Sequence, residues 1–194
     1  MATPAGPARV ELDLPDDPAF LLVVTHGAGG GVEAPDLLAV RAVALELGGA
    51  VARVLQPYRV AGRRLPGPAA GQDEAWLAVV AALRERVGGV PLVQCGRSNG
   101  ARVVCRTAVD AAARGVVALA FPLHPPWAPD RSRAAELYQA GVEVLVVNGD
   151  LDPFGVPHAA PATHVHVLAG EGHELDRDPA LVGEVVARWL RRWT

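Results

Sequence analysis

The sequence predicts an α/β fold, a doubly wound, mostly parallel sheet flanked by helices, and three observations predict it. Short Val-rich apolar runs, each followed by Gly or Pro, recur along the chain as parallel strands buried on both faces do. Longer stretches of helical periodicity alternate with them, the order that right-handed βαβ crossovers produce. No internal repeat and no long linker interrupts this alternation, so one domain covering residues 1–194 is expected.

The first strand, Arg9 to Leu14, alternates apolar and polar residues like a half-exposed edge. Phe20 to Thr25 and Ala50 to Leu55 read as buried strands. Gln72 to Val87 then sets Trp76, Val80, Leu83 and Val87 at helical spacing. The strand Pro91 to Cys95 leads into a helix from Ser98 to Ala112, with Arg102, Arg106 and Asp110 as a charged stripe opposite Val104 and Ala108. Val116 to Phe121, Val144 to Val147 and His164 to Leu168 complete the strands. A last helix, Pro179 to Arg192, starts on Pro at a first-turn position and turns Leu181, Val185 and Trp189 toward the sheet, away from Glu184, Arg188 and Arg191.

Composition excludes several function classes. Hydrophobic residues are 51% and charged residues 20% of the 194, a profile that rules out extensive disorder. The 18 basic residues are all Arg and are outnumbered by 21 acidic ones, so no nucleic-acid surface is expected. No apolar run approaches the length of a membrane helix, and Met1 to Asp17 is acidic and Pro-rich rather than signal-like. A cytoplasmic protein without membrane contact is the expectation. Cys95 and Cys105 sit in apolar surroundings and read as buried thiols, not as a disulfide framework or metal knuckle.

Chemistry concentrates at the carboxyl ends of the strands. Gly96-Arg97-Ser98-Asn99-Gly100 lies between a strand and a helix, where a serine on a sharp turn needs small neighbours and gains a helix N-terminus behind it. A serine hydroxyl is a poor nucleophile until a histidine takes its proton and an acid orients that histidine. Both follow downstream, each beyond a strand end. Asn148-Gly149-Asp150-Leu151-Asp152-Pro153 offers Asp152, further out on its loop, ahead of Asp150, although Asp before Pro also marks helix starts. Ala169-Gly170-Glu171-Gly172-His173 offers His173 as base.

Other residues carry less. His164 and His166 share a strand face without a third metal ligand at suitable spacing, so no metal is expected. His158 lies in an Ala-Pro loop without a visible partner. Gly27 and Gly29 are followed by Val32 where a dinucleotide fingerprint needs a third Gly, and a chain without Lys forms no Walker A loop. No cofactor is expected. His124, Arg97, Trp127 and Phe154 are placed near the site as candidate substrate-binding walls, His124 chiefly as a shaper of its loop. The arginines of the Gln56 to Arg64 loop, Arg59, Arg63 and Arg64, read as a solvated run, with binding of a carboxylate or phosphate as the alternative.

Together Thr25-His26-Gly27-Ala28-Gly29, Gly96-Arg97-Ser98-Asn99-Gly100, Pro122-Leu123-His124-Pro125-Pro126, Gly149-Asp150-Leu151-Asp152-Pro153-Phe154-Gly155 and Gly172-His173 resemble the α/β-hydrolase superfamily. They resemble specifically its compact, lidless, dienelactone-hydrolase-like branch, over nearly the whole chain. The resemblance implies Ser98 as nucleophile, Asp152 as acid, His173 as base, and the backbone amides of Ala28 and Asn99 as oxyanion donors. Dienelactone hydrolases use a cysteine nucleophile, so their lactone substrate is not carried over. About twenty residues separate Leu123 from Val144, room for one helix and no cap. A small-molecule ester or acyl substrate, cleaved at an open site through an acyl-enzyme, is therefore expected of a carboxylesterase or thioesterase. The competing expectation is a catalytically weak or inactive scaffold that keeps the fold.

Overall fold

A computed structural model describes residues 1–194. In chain order the elements are β1 (Arg9–Asp13), β2 (Leu21–Thr25), α1 (Pro35–Glu46), β3 (Ala50–Leu55), α2 (Pro57–Val60), α3 (Ala69–Val87), β4 (Leu92–Arg97), α4 (Asn99–Arg106), β5 (Gly115–Leu119), α5 (Ala134–Tyr138), β6 (Glu143–Gly149), β7 (Thr163–Leu168) and α6 (Pro179–Leu190). A single 3₁₀ turn, Arg191–Trp193, follows α6.

The strands form one seven-stranded sheet in the order β1-β3-β2-β4-β5-β6-β7. Only β1 runs antiparallel, at an edge, as its alternating sequence predicts. The other strands are parallel, and their side chains alternate between two cores because successive residues face opposite sides. Leu21 and Val23 of β2 join α3 and α4 in one core, while Phe20, Leu22 and Val24 join α1 and α6 in the other. The doubly wound α/β class read from the sequence is thus the observed fold. No helix is long and apolar enough to cross a membrane.

Winding reverses between β2 and β4. Chain order runs outward from β2 to β3 and returns to β4 on the other side, leaving a crevice at the carboxyl ends of β2 and β4 where open α/β sheets bind ligands. Register sharpens that placement: Thr25 pairs with Gly96, so the residues after each strand stand side by side.

The charged stripe of α4 is not solvated. Arg102 forms a two-bond pair with Glu136 of α5 (2.8 and 2.6 Å), and Arg106 pairs with Asp73 of α3 at the same distances, tying three helices over one sheet face. Between β5 and β6 the chain carries only the five-residue α5 and no inserted domain.

Candidate active site

Ser98 alone makes the turn from β4 to α4, at φ 52° and ψ −114°. A non-Gly residue in that region costs about 1–3 kcal/mol and persists only where its surroundings impose it. Close stacking imposes it here. A Cβ on Gly96 would stand 2.3 Å from the Gly100 carbonyl oxygen, and one on Gly100 would stand 2.7 Å from the His26 carbonyl oxygen. Only glycine lets strand, turn and neighbouring loop approach this far. The Ser98 amide then donates to the Leu119 carbonyl at 2.9 Å, fixing the turn to β5.

Three side chains from separate loops meet at this turn. Ser98 Oγ lies 2.8 Å from His173 Nε2, and His173 Nδ1 lies 2.9 Å from Asp152 Oδ2. One tautomer satisfies both contacts, with Nδ1–H donating to the carboxylate and Nε2 accepting from the hydroxyl. The Asp152 carboxylate is itself held: Oδ1 accepts from the Phe154 amide (2.8 Å) and Oδ2 from Asn148 Nδ2 (3.1 Å). Asn148 is fully buried, and its Oδ1 accepts from the Phe121 amide at 2.9 Å, so one amide side chain links the ends of β5 and β6 to the acid. The Phe154 ring lies 4.2 Å from the imidazole, centroid to centroid, and walls one side of it. Asp150 instead faces solvent and accepts from the Gly170 amide at 2.7 Å. Of the two aspartates, Asp152 reaches the imidazole. No helix follows Pro153, and the capping tendency of Asp152 goes into the Phe154 turn.

The loop after β2 presents the Gly27–Ala28 peptide beside Ser98, a Cβ on Gly27 standing 3.1 Å from the serine Cβ. Its orientation is set by donors that converge on the Gly27 carbonyl. His26 is fully buried; its Nε2 accepts the Gln56 amide (3.0 Å), so Nδ1 carries the proton and donates to Gly27 O (2.8 Å). Burial drives this imidazole down from its ordinary value to about 4, which keeps it neutral. The Gly30 amide adds a bond at 3.2 Å, and the Tyr58 hydroxyl approaches to 3.5 Å. A trans peptide is planar, so fixing this carbonyl fixes the Ala28 N–H on the opposite side. That N–H bonds to no carbonyl of the chain. The Asn99 amide, first in α4, has no intrahelical acceptor, and the Asn99 side chain donates to Gln72 Oε1 at 2.8 Å.

Other residues expected at the site divide. The His124 amide donates to the Phe154 carbonyl at 3.0 Å, and its ring packs against Gly155. Arg97 is a correction, because its guanidinium points inward to Asp36 and Glu174 instead of walling a pocket. Trp127 is another: it is 81% exposed and lines a surface groove with Arg102 and Asp130 that includes none of Ser98, Asp152 or His173. Arg59 spends its guanidinium on the Gly30 and Arg63 carbonyls. Arg63 borders a cavity of about 250 Å³ with Gln56, Tyr58 and Gln72, one hydrogen bond away from Asn99, and Arg64 is exposed beside it. His158 shares its backbone with the Tyr138 hydroxyl, while His164 and His166 line a shallow groove beside α6. Sequence reasoning did not single out His26, Asn148, Asp36 or Gln72. Each is polar and sits at a strand end or in a helix turn, and its partner is distant in sequence for all but Asn148.

A family model described as alpha/beta hydrolase domain matches residues 18–177. A search of curated proteins finds no match. Among solved structures, the chain is similar to an alpha-beta serine hydrolase homologue from Coxiella burnetii, with a TM-score of 0.80 at 17% identity, covering 98% of this chain and 95% of that one. A serine hydrolase without lid from Xanthomonas campestris gives 0.79 at 20% identity over 99% and 92% of the two chains. A dienelactone hydrolase from Anabaena variabilis gives 0.76 at 16% identity over 96% and 92%. At these identities the likeness is one of fold.

Proposed function

The chain belongs to the alpha/beta hydrolase family, and from that premise we propose that it is a serine hydrolase cleaving carboxylic esters or thioesters of small acyl groups through an acyl-enzyme. The observation that carries the reading is the unbroken hydrogen-bond chain Ser98–His173–Asp152 built on a strained turn. In this reading Ser98 Oγ attacks the acyl carbon while its proton passes to His173 Nε2. The carbonyl oxygen becomes an oxyanion, which the amides of Ala28 and Asn99 receive. Asp152 holds the imidazole in its tautomer and stabilises the imidazolium, with Asn148 and the Phe154 amide keeping the carboxylate in place. Collapse expels the alcohol or thiol, which takes its proton from Nε2. A water, deprotonated by the same nitrogen, then attacks the acyl carbon, and Nε2 passes that proton to Ser98 Oγ as the bond to the acyl group breaks, releasing the acid.

Every proton and charge in this cycle is handled by side chains and amides of the chain itself. The cavity bordered by Gln56, Tyr58, Arg63 and Gln72 lies one hydrogen bond from Asn99 and includes none of Ser98, Asp152 or His173. Fluorophosphonate labelling of the purified protein, with mapping of the modified residue, tests the proposal alongside hydrolysis of short p-nitrophenyl esters. Labelling at Ser98 is expected, with Ser98→Ala abolishing it and Asp152→Asn lowering turnover by about 10⁴-fold. A folded wild-type protein that takes no label overturns the reading in favour of a binding scaffold.

A further inference from the structure

We propose that Arg97 is a positioning residue for His173, its buried guanidinium clamping the loop that bears the imidazole onto helix α1. This inference rests on the serine-hydrolase reading for its functional meaning, though the clamp itself is geometric. The loop after β7 is anchored on either side of His173, by buried Glu171, which accepts from the Asp178 amide, and by Leu175, fully buried against α1 and α6; the stretch between is tied less closely. From Gly172 to Asp176 the chain makes only a turn at His173 and Glu174, and no backbone bond to a strand or helix holds the segment that carries His173. Arg97 adds a tie at His173 itself: Nη2 donates to the His173 carbonyl at 3.2 Å and to the Glu174 carboxylate next to it.

The other end of the guanidinium is anchored under the neighbouring loop. Nε lies 3.1 Å from Oδ2 of Asp36, a carboxylate with no exposed surface in the first turn of α1. The contact is an ion pair at that distance without hydrogen-bond alignment, since neither Asp36 oxygen nor Arg97 Nε has a hydrogen-bond partner. Nη1 lies 3.7 Å from where a Gly27 Cβ would stand, so the same group also abuts the loop that presents the Ala28 amide. One planar cation therefore touches the β2–α1 loop, α1 and the His173 loop at once. Its planar fork is what allows this, because a lysine ammonium presents one point and cannot span the gap. Burial raises the Asp36 carboxyl to about 6 against the pull of Arg97, so the anchor is an anion at neutral pH. The position of Arg97, directly before Ser98, puts the base loop and the nucleophile on consecutive residues of one strand end.

The test compares Arg97→Met paired with Asp36→Asn, which leaves no unpaired buried charge, with Arg97→Lys, which keeps the cation. Two readouts are taken on samples shown to be folded by circular dichroism: the fluorophosphonate labelling rate of Ser98, and the low-field proton resonance of His173 Nδ1. In the paired variant the labelling rate should fall by about 10- to 100-fold, as a misplaced general base does, with the half-saturating probe concentration unchanged. The Nδ1 resonance should broaden or vanish, and Arg97→Lys should lie between. In a His173→Ala background the same substitutions should cause no further loss, because Arg97 acts through that residue. A folded paired variant that labels within about two-fold of wild type and keeps the resonance overturns the clamp. Should the paired variant not fold, Arg97→Lys decides on the same readouts: an unaltered rate and resonance overturn the clamp, a reduced rate with a broadened resonance supports it. If wild type itself takes no label, the hydrolase reading falls separately and the resonance alone decides the clamp.

Discussion

The hydrogen bond from His26 Nδ1 to the Gly27 carbonyl gives that residue a measurable role. Replacing His26 by Ala removes the shortest donor to the Gly27 carbonyl and leaves the Gln56 amide without its acceptor, so the Gly27–Ala28 peptide is held only by the longer Gly30 and Tyr58 contacts. Ester turnover should fall by about 10²-fold, the usual cost of losing one oxyanion donor, while the His173 Nδ1 resonance persists because the Asp152 side is untouched. Tyr58→Phe, whose hydroxyl stands at the limit of bonding distance, should change turnover little, and kcat measurements on both variants check the pair. That Ser98, Asp152 and His173 meet is legible in the sequence, because a hydroxyl, a carboxylate and an imidazole each follow a strand end in that chain order. The role of His26 is not. Its partner Gln56 is 30 residues away, and only folding puts the two loops together. Arg97 is expected as a pocket wall from its place beside Ser98, but nothing in Gly-Arg-Ser-Asn-Gly says which way a guanidinium turns; buried Asp36 decides that.

Among the elements, the strands were the most readable, and their limits moved by no more than two residues at either end, as at β4, read as Pro91 to Cys95 and observed as Leu92–Arg97. Helix α1 escaped notice for a physical reason. It is pressed between the sheet and α6, so Leu37, Val40 and Ala44 are buried, Leu38, Val43 and Leu45 half-buried, and no polar stripe marks a solvent face. The helix read as Ser98 to Ala112 ends at Arg106, where the Thr107 hydroxyl donates back to the Val103 carbonyl at 2.8 Å and competes with the ladder. The seam between α1 and α6 is close-packed at Gly183, whose missing Cβ would stand 3.3 Å from Val43 and 3.5 Å from Ala39. Gly183→Leu should therefore lower stability by about 1–3 kcal/mol through overpacking, read as a reduced thermal midpoint. Because α1 also carries Asp36, the same change should slow labelling of Ser98.

At the scale of the whole molecule, two buried groups of opposite kind shape acid stability. His26 titrates near 4 in the fold against an ordinary 6.5, so the unfolded chain binds protons first and stability is lost as pH falls from 6.5 toward 4. Asp36 titrates near 6 against an ordinary 3.8, so the folded chain binds protons first and stability is gained as pH falls from 6 toward 4. Each effect amounts to about 3 kcal/mol at full extent, with opposite sign. Wild type should thus hold a nearly level thermal midpoint between pH 6.5 and 4.5. His26→Gln should become more stable on acidification through that window and Asp36→Asn less stable, and melting curves across it check both slopes. The short connection between β5 and β6 acts at this scale too, in the timing of the cycle. With only a five-residue helix there, no inserted domain covers half-buried Ser98, and solvent reaches an acyl group attached to it. Under the proposed chemistry the covalent intermediate is short-lived and partitions to water ahead of dilute alcohols or amines, so the fold itself favours hydrolysis over transfer.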